Sequence, residues 1–371
     1  MNRSAEAVGG DQRFMALALA LGRRGLGRTW PNPAVGAVVV GNGIIAGRGW
    51  TQHGGRPHAE VEALRRAGKA ARGATLYVTL EPCTHHGKTP PCTDVVIAAG
   101  IKRVVSALED PNPKVAGAGH ARLAAAGIDV DIGVGAEQAR RDHAGHIRRV
   151  RDGRPHVTLK LAISADGKVA VAGRRPVTIT GSEARDRVHL LRAQSDAIMI
   201  GIGTALADDP LLTCRLPGME KDSPVRVVLD GELRLPEGSR LMRTAREVPV
   251  WVIAGANAAA EREQTLAVTG AHIMRVPNRD GSFDMSAVLK LLAERGITRL
   301  MVEGGPTLAA SLVAADLVDE AVLLRSPKIV GADGINALEG LPLGALIDSP
   351  WLERVKSEPL GADIWDVFER K

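Results

Sequence analysis

One imidazole, two thiols and one carboxylate fall within 35 positions of this 371-residue chain, in Arg56-Pro57-His58-Ala59-Glu60, Glu81-Pro82-Cys83 and Pro90-Pro91-Cys92. A fold that uses them together must close three separated segments onto one point. A zinc ion held by one His and two thiolates has three protein ligands and keeps a fourth position for water, the arrangement of a catalytic rather than a structural site. His58, Cys83 and Cys92 are therefore candidate metal ligands, and Glu60 is a candidate catalytic proton carrier. Two thiolates cancel the charge of the metal, so bound water is acidified less than at a His-only site, and a nearby carboxylate helps take its proton. An H-x-E followed by P-C is the pattern of zinc deaminases.

The surrounding pattern is layered. Residues 11–26 read as a helix with Asp11 near its cap, ending at Gly25 and Gly27. The turn-rich loop 30–36 leads to an apolar strand at 37–40, a hairpin signal at Gly41-Asn42-Gly43 and a returning strand at 44–50. A helix then opens at Pro57-His58 and runs to about residue 67. Residues at i and i+2 do not share a helix face, so His58 and Glu60 serve one site only at the helix entry, with Pro57 as a first-turn residue. A strand at 75–80 stops at Glu81-Pro82-Cys83, and Cys92 starts a helix over 93–99, where the dipole favours a thiolate. A strand at 103–107, a loop at 110–119, a helix at 120–126 and a strand at 129–133 complete an α/β sheet domain.

Composition narrows the class. Apolar residues make up 45% of the chain and aromatics 2%, so the core is aliphatic and stacking platforms for nucleic-acid bases are scarce. The net charge of +6 favours anionic ligands such as phosphates, but the charges are interspersed without a long basic run. Three scattered cysteines do not make a disulfide framework and point to a reducing cytoplasm. Cys214 reads as a bystander. The apolar run 14–21 is flanked by charges and belongs to a needed helix rather than to a signal peptide, and no stretch approaches a membrane span.

The run Glu81-Pro82-Cys83-Thr84-His85-His86-Gly87-Lys88-Thr89-Pro90-Pro91-Cys92 resembles the deaminase half of the bifunctional deaminase/reductase family of riboflavin biosynthesis. Its cysteine spacing is longer than in nucleoside deaminases. Asn32-Pro33-Ala34-Val35-Gly36 and Asp110-Pro111-Asn112-Pro113-Lys114-Val115-Ala116-Gly117 are similar to that family's substrate loops. The resemblance implies that Asn32, His85, Lys88, Asp110 and Asn112 hold the pyrimidine and its ribose phosphate. Amide and carboxylate groups suit an aminopyrimidinone edge, and Lys88 offers charge to phosphate. Thr51 stands where the family usually has a His; His53, two positions later, is the substitute available.

Residues 140–155 are polar and basic and end in Gly and Pro, which reads as a linker and places a boundary there, with domains at 1–147 and 148–371. A strand at 156–162, a turn at 164–168, a helix at 182–193 and a buried strand at 197–201 follow. Gly201-Ile202-Gly203 lacks the third glycine of a dinucleotide fingerprint. A strand at 299–302 runs into Glu303-Gly304-Gly305-Pro306-Thr307 and a helix at 306–314, whose open N–H groups can hold a cofactor diphosphate. These motifs, with 160–167, 201–204 and 207–210, resemble the reductase domain of the same family. The implied fold is a cytidine-deaminase-like three-layer α/β/α domain followed by a dihydrofolate-reductase-like α/β domain.

By that resemblance the first domain removes the 2-amino group of 2,5-diamino-6-(5-phosphoribosylamino)pyrimidin-4-one with Zn2+. The second reduces the ribosyl group of the resulting uracil to ribityl with NADPH. Lys160 and Glu303 are expected at the opened sugar, Asp208 beside the cofactor and reacting carbon, and Arg192 and Arg215 on the substrate phosphate, since a guanidinium meets phosphate with parallel bonds. Cofactor positions are Ala162, Thr178, Thr204, Asp208, Gly305, Pro306, Thr307, Leu308, Ala309, Ala310 and Ser311. Pro176, Leu212 and Glu303 are substrate positions. Family members often have an aromatic at the place of Thr178. The expected partner is a small phosphorylated pyrimidine, without nucleic acid or membrane, and the expected assembly is a homo-oligomer. Three other readings are a nucleoside or tRNA deaminase with a non-catalytic second domain, a chain in which one half has decayed, although both halves retain their reactive side chains, and a basic zinc-stabilised nucleic-acid-binding protein. The last requires a fourth zinc ligand and clustered Lys/Arg, and neither is evident in the sequence.

Overall fold

The computed structural model describes residues 5–371 apart from 88, 89, 114, 175, 176, 280 and 281. Two expected substrate positions, Lys88 and Pro176, lie outside the described residues. Contacts divide the chain into two compact units, Met1–Gly153 and Arg154–Lys371.

The first unit is built on a five-stranded sheet of order β2-β1-β3-β4-β5. Its strands are β1 (Gly36–Gly41), β2 (Ile44–Trp50), β3 (Thr75–Val78), β4 (Arg103–Ser106) and β5 (Asp129–Ile132). β1 runs antiparallel to β2 and β3, and β3, β4 and β5 are parallel. The hairpin turn has Asn42 at φ 50° and Gly43 at φ 76°, the left-handed pair that matches strand twist. Helices α1 (Ala5–Gly22), α2 (Ala59–Ala67), α3 (Cys92–Ala98), α4 (Ala118–Ala125), α5 (Ala136–Asp142) and α6 (Ala144–Asp152) cover the sheet. α2, α3 and α4 lie beside one another, and α1 packs with α5, giving the three-layer α/β/α arrangement.

Three local expectations are corrected. Asp11 is no cap: α1 begins at Ala5, and the buried Asp11 carboxylate accepts from Tyr77 Oη at 2.8 Å and from Arg103 at 2.6 and 2.9 Å. Pro57 is not in the first helical turn, because α2 starts at Ala59 with an extended His58 as its cap, after a cis Arg56–Pro57 bond. The polar stretch at 140–155 is not an open linker either. Most of it is helical, in α5 and α6, and His143 of that stretch is buried against Thr79.

The second unit carries a nine-stranded sheet of order β11-β10-β9-β8-β14-β6-β15-β18-β17. In chain order the strands of this unit are β6 (His156–Ile163), β7 (Lys168–Ala170), β8 (Ala197–Gly201), β9 (Val225–Leu229), β10 (Val250–Gly255), β11 (His272–Val276), β12 (Asn278–Arg279), β13 (Ser282–Phe283), β14 (Arg299–Val302), β15 (Glu320–Arg325), β16 (Ile335–Asn336), β17 (Leu352–Leu360) and β18 (Asp363–Arg370), with β7–β16 and β12–β13 as two separate two-stranded pairs. The central strands pair in parallel, and β18 pairs antiparallel with both β15 and β17. Helices α7 (Ser182–Ala193), α8 (Ile202–Asp208), α9 (Arg240–Arg243), α10 (Ala260–Val268), α11 (Met285–Glu294) and α12 (Pro306–Ala314) connect them. The motif-free stretch 255–296 holds the edge strand β11 and the amphipathic α11, which buries Met285, Val288, Leu289 and Leu292 at helical spacing. Strands alternating with crossover helices make this the expected dihydrofolate-reductase-like α/β domain. Among the described residues no helix is long and apolar enough to cross a membrane.

Candidate active sites

The first site forms where three element starts meet. α2 lies directly on β2: a Cβ at Gly49 would stand 2.3 Å from the carbonyl oxygen of Ala59, so only glycine lets the first turn of α2 sit there. That placement presents His58 at the cap and buries Glu60 at 4% exposure. Cys83 lies in the loop after β3, and Cys92 is the first residue of α3, its N–H donating to Cys83 Sγ at 3.4 Å. His58 Nδ1 is 3.2 Å from Cys92 Sγ and 3.8 Å from Cys83 Sγ.

These three ligand atoms lie within 4.8 Å of one another. Tetrahedral zinc with ordinary Zn–N and Zn–S bonds has N···S edges of about 3.6 Å, between the two distances seen. The protonation of the set also fits a cation. The hydrogen bond from Cys92 holds the Cys83 thiol down to about 4, while the same pairing, then burial, pushes Cys92 well up. The opposed directions mean that each sulfur disfavours ionisation of the other, and a cation between two thiolates removes that penalty. His58 is raised, first by its hydrogen bond with Cys83. Burial pushes Glu60 up, with His58 opposing, so this carboxyl holds a proton more readily than an exposed one.

Around the triangle, Asn32 donates from Nδ2 to the Gly55 carbonyl at 2.8 Å. Asp110 accepts at Oδ1 from the Asn112 N–H at 2.8 Å and from His146 Nε2 at 3.2 Å. Burial alone would raise Asp110; the His146 hydrogen bond and charge outweigh it and hold the carboxyl below its usual value. His85 and His53 are exposed. Thr51, at the family's usual His position, is buried and its hydroxyl accepts the Val35 N–H at 3.0 Å, so it shapes the Asn32 loop. Sequence reasoning missed His146 and Glu81. His146 sits in the supposed linker. The Glu81 carboxylate accepts four backbone N–H groups of the 110–120 segment.

The second site opens at the ends of the parallel strands. Lys160 on β6 and Glu303 after β14 line one cavity of about 460 Å³ with Ala162, Thr178, Thr204 and Asp208. Glu303 receives a two-pronged contact from Arg192, Nε to Oε1 at 2.6 Å and Nη2 to Oε2 at 2.9 Å, and Lys160 Nζ stands 3.8 Å from Oε2. Burial would raise Glu303, but the Arg192 and Lys160 charges bring it to about 2. Burial lowers Lys160 against the pull of Glu303. Asp208 is pushed up by partial burial.

Gly304 and Gly305 adopt φ 119° and 27°, and the Gly305 N–H donates to Thr204 Oγ1 at 2.9 Å. A Cβ on Gly305 would stand 2.9 Å from that oxygen. Gly305, Pro306, Thr307 and Leu308 line the cavity. Ala309 and Ala310 instead bury themselves inside α12, and Ser311 bonds back to the Thr307 carbonyl at 2.9 Å. Arg192 and Arg215 lie off the cavity lining, as does the buried Leu212 at φ 56°. The fork of Arg192 faces Glu303 and its Nη1 donates to the Thr213 carbonyl at 3.1 Å, whereas Arg215 is exposed.

A cytidine-deaminase-type zinc triangle on one unit and a glycine-lined cofactor cavity with a buried Lys–Glu–Arg cluster on the other define a two-domain deaminase and reductase. The comparisons agree. Residues 9–108 match the cytidine and deoxycytidylate deaminase zinc-binding region, and residues 155–365 match the RibD C-terminal domain. The riboflavin biosynthesis protein RibD of Escherichia coli K12 is 41% identical, over 95% of this chain and 98% of that protein. The one from Aquifex aeolicus is 42% identical over 97% and 98%. A solved structure from Thermotoga maritima, described as a diaminohydroxyphosphoribosylaminopyrimidine deaminase and 5-amino-6-(5-phosphoribosylamino)uracil reductase, superposes with a TM-score of 0.85 at 35% identity, covering 98% of this chain and 100% of that one. The chain belongs to the RibD family, the bifunctional zinc-dependent deaminases and NADPH-dependent reductases of riboflavin biosynthesis.

Proposed function

We propose that the first unit hydrolytically deaminates 2,5-diamino-6-(5-phosphoribosylamino)pyrimidin-4(3H)-one. The second unit then reduces the ribosyl chain of the resulting 5-amino-6-(5-phosphoribosylamino)uracil to ribityl. The observation that carries this is the presence on one chain of both constellations, the His58–Cys83–Cys92 triangle beside Glu60 and the Lys160–Glu303–Arg192 cluster beside Gly304-Gly305.

In the first unit His58, Cys83 and Cys92 hold the zinc, which when bound supplies the Lewis acidity that activates water for attack on the ring carbon. Glu60, buried and raised, takes a proton from the attacking water and returns it to the leaving amine. Asp110, kept ionised by His146, accepts from the pyrimidine's N–H edge through the oxygen that His146 and Asn112 leave open. Asn32, Asn112 and His85 complete the grip on the ring and its ribose, and Lys88 meets the phosphate.

In the second unit Ala162, Thr178, Thr204 and the Gly305–Leu308 turn receive NADPH, which supplies the hydride. Ala309, Ala310 and Ser311 hold that turn from within α12. Lys160, lowered by burial and held by Glu303, would keep a proton at the opened sugar, and Asp208, on the same cavity lining, would face the reacting carbon. Arg215 takes the phosphate together with the N–H groups that Arg192 does not spend on Glu303 and on the Thr213 carbonyl; Leu212 and Pro176 are proposed to bound the pyrimidine. Three cysteines without a disulfide suit a reducing cytoplasm, and the family resemblance supports a homo-oligomer, measurable by sedimentation.

The test is to give the zinc-loaded protein the diaminopyrimidinone ribosyl phosphate and NADPH, following ammonia and the loss of NADPH absorbance. Both signals are expected. Ammonia without NADPH oxidation would remove the reductase assignment, and neither signal with zinc bound would remove the substrate assignment.

A further inference from the structure

The Glu81 side chain is fully buried, two residues before the metal-ligand candidate Cys83. Its Oε1 accepts the N–H groups of Gly119 at 2.7 Å and His120 at 3.3 Å, and its Oε2 accepts those of Asp110 and Gly117 at 3.0 Å each. A carboxylate offers about four lone-pair sites, and all four are taken. Two of the donors belong to the first turn of α4, whose own cap residue Gly117 is left-handed at φ 74° and supplies no side-chain bond. Glu81 therefore caps α4 from 38 residues away, on the end where the helix dipole favours an anion.

The same contacts tie down the loop that presents Asp110 and Asn112. We propose, on the deaminase reading above, that Glu81 is a positioning residue for the pyrimidine: one buried carboxylate fixes the distance between the substrate loop and the Cys83 segment. Gly119 makes this approach possible, since a Cβ there would stand 2.2 Å from the Pro82 carbonyl oxygen and 2.9 Å from Glu81 Oε1. Ligand atoms of Glu81, Glu109 and His120 also lie within 4.8 Å of one another. A second cation is not the reason for the cluster, because four N–H dipoles already point their positive ends at this carboxylate and take its lone pairs.

The test compares wild type, Glu81→Gln and Gly119→Ala as zinc-loaded full-length protein. Ammonia release is measured against pyrimidine concentration, zinc per chain together with the thermal transition of the first unit serves as the folding control of that unit, and NADPH oxidation with the deaminated uracil serves as the control for the rest of the chain. The Gln amide turns an NH2 toward two of the four donors, while the alanine pushes the loop away with the charge intact. Both variants should raise the deaminase KM by about tenfold or more, with kcat changed less than about threefold and with zinc and NADPH oxidation unchanged. If Glu81→Gln also loses NADPH oxidation, Gly119→Ala decides by the same criterion. An unchanged KM, loss of zinc, or loss of NADPH oxidation in both variants overturns the proposal, because Glu81 would then be spectator, metal scaffold or general framework. Absence of ammonia from wild type would instead refute the deaminase reading and involves no variant.

Discussion

Glu303→Gln removes the one negative charge from a buried cluster that keeps two cations. Arg192 meets Glu303 at 2.6 and 2.9 Å and Lys160 at 3.8 Å, with side chains between 8% and 15% exposed. Removing one partner of a buried pair costs about 3–5 kcal/mol, and the lower end applies because Gln keeps one acceptor for Arg192. At about 2–4 °C per kcal/mol for a unit of this size, the Tm should fall by about 6–12 °C. The assay is calorimetry of the transition that NADPH raises, since a ligand bound only by the folded state marks its own unit.

The pH dependence has a definite sign. Burial lowers Lys160, and Glu303 is the group that pulls it back up. In the variant its folded value drops further below the unfolded one, so the unfolded state binds more protons in between and stability rises with pH. The Tm deficit should shrink as the pH rises from neutral toward the ordinary lysine value. A loss under about 2 °C, or a deficit that widens with pH, would refute the reasoning that these charges are buried and coupled.

Other outcomes follow from the same contacts. Cys83→Ser or chelation should remove zinc and ammonia release while leaving NADPH oxidation on the deaminated uracil. His146→Ala should free Asp110 to rise as burial dictates, so on acidification the deaminase KM should climb at a higher pH than in wild type, as KM measured across a pH series would show. Gly305→Ala, whose Cβ would stand 2.9 Å from Thr204 Oγ1, should raise the KM for NADPH by about tenfold while ammonia release is untouched, as initial rates would show.

The metal triangle was legible in the sequence because each ligand sits at the start or end of a recognisable element, with prolines marking the turns. The glycines of Gly304-Gly305 were legible for the same reason. What the sequence hides is pairing across distance. Asp11 looked like a helix cap, but its partners are Tyr77 and Arg103, 66 and 92 residues away. Glu81 looked like the edge of a motif, and its four donors lie at least 29 residues further on. His143 and His146 fall in a polar stretch whose composition suggests a linker; it forms α5 and α6, and their junction at His143 and the first turn of α6 bring the two rings onto Thr79 and Asp110. Arg192 was expected on a phosphate from residue type, and burial beside Glu303 shows where most of its fork points.

The central claim is that one chain carries two separate active sites working in sequence. The most direct measurement mixes Glu60→Gln with Lys160→Met and follows conversion of the diaminopyrimidinone ribosyl phosphate to the ribityl product with NADPH. Each variant alone should stop at its own step, the first releasing no ammonia and the second accumulating the deaminated uracil. The mixture should make the ribityl product. If either substitution abolishes both half-reactions, or the mixture accumulates deaminated uracil without oxidising NADPH, the two-site account is contradicted.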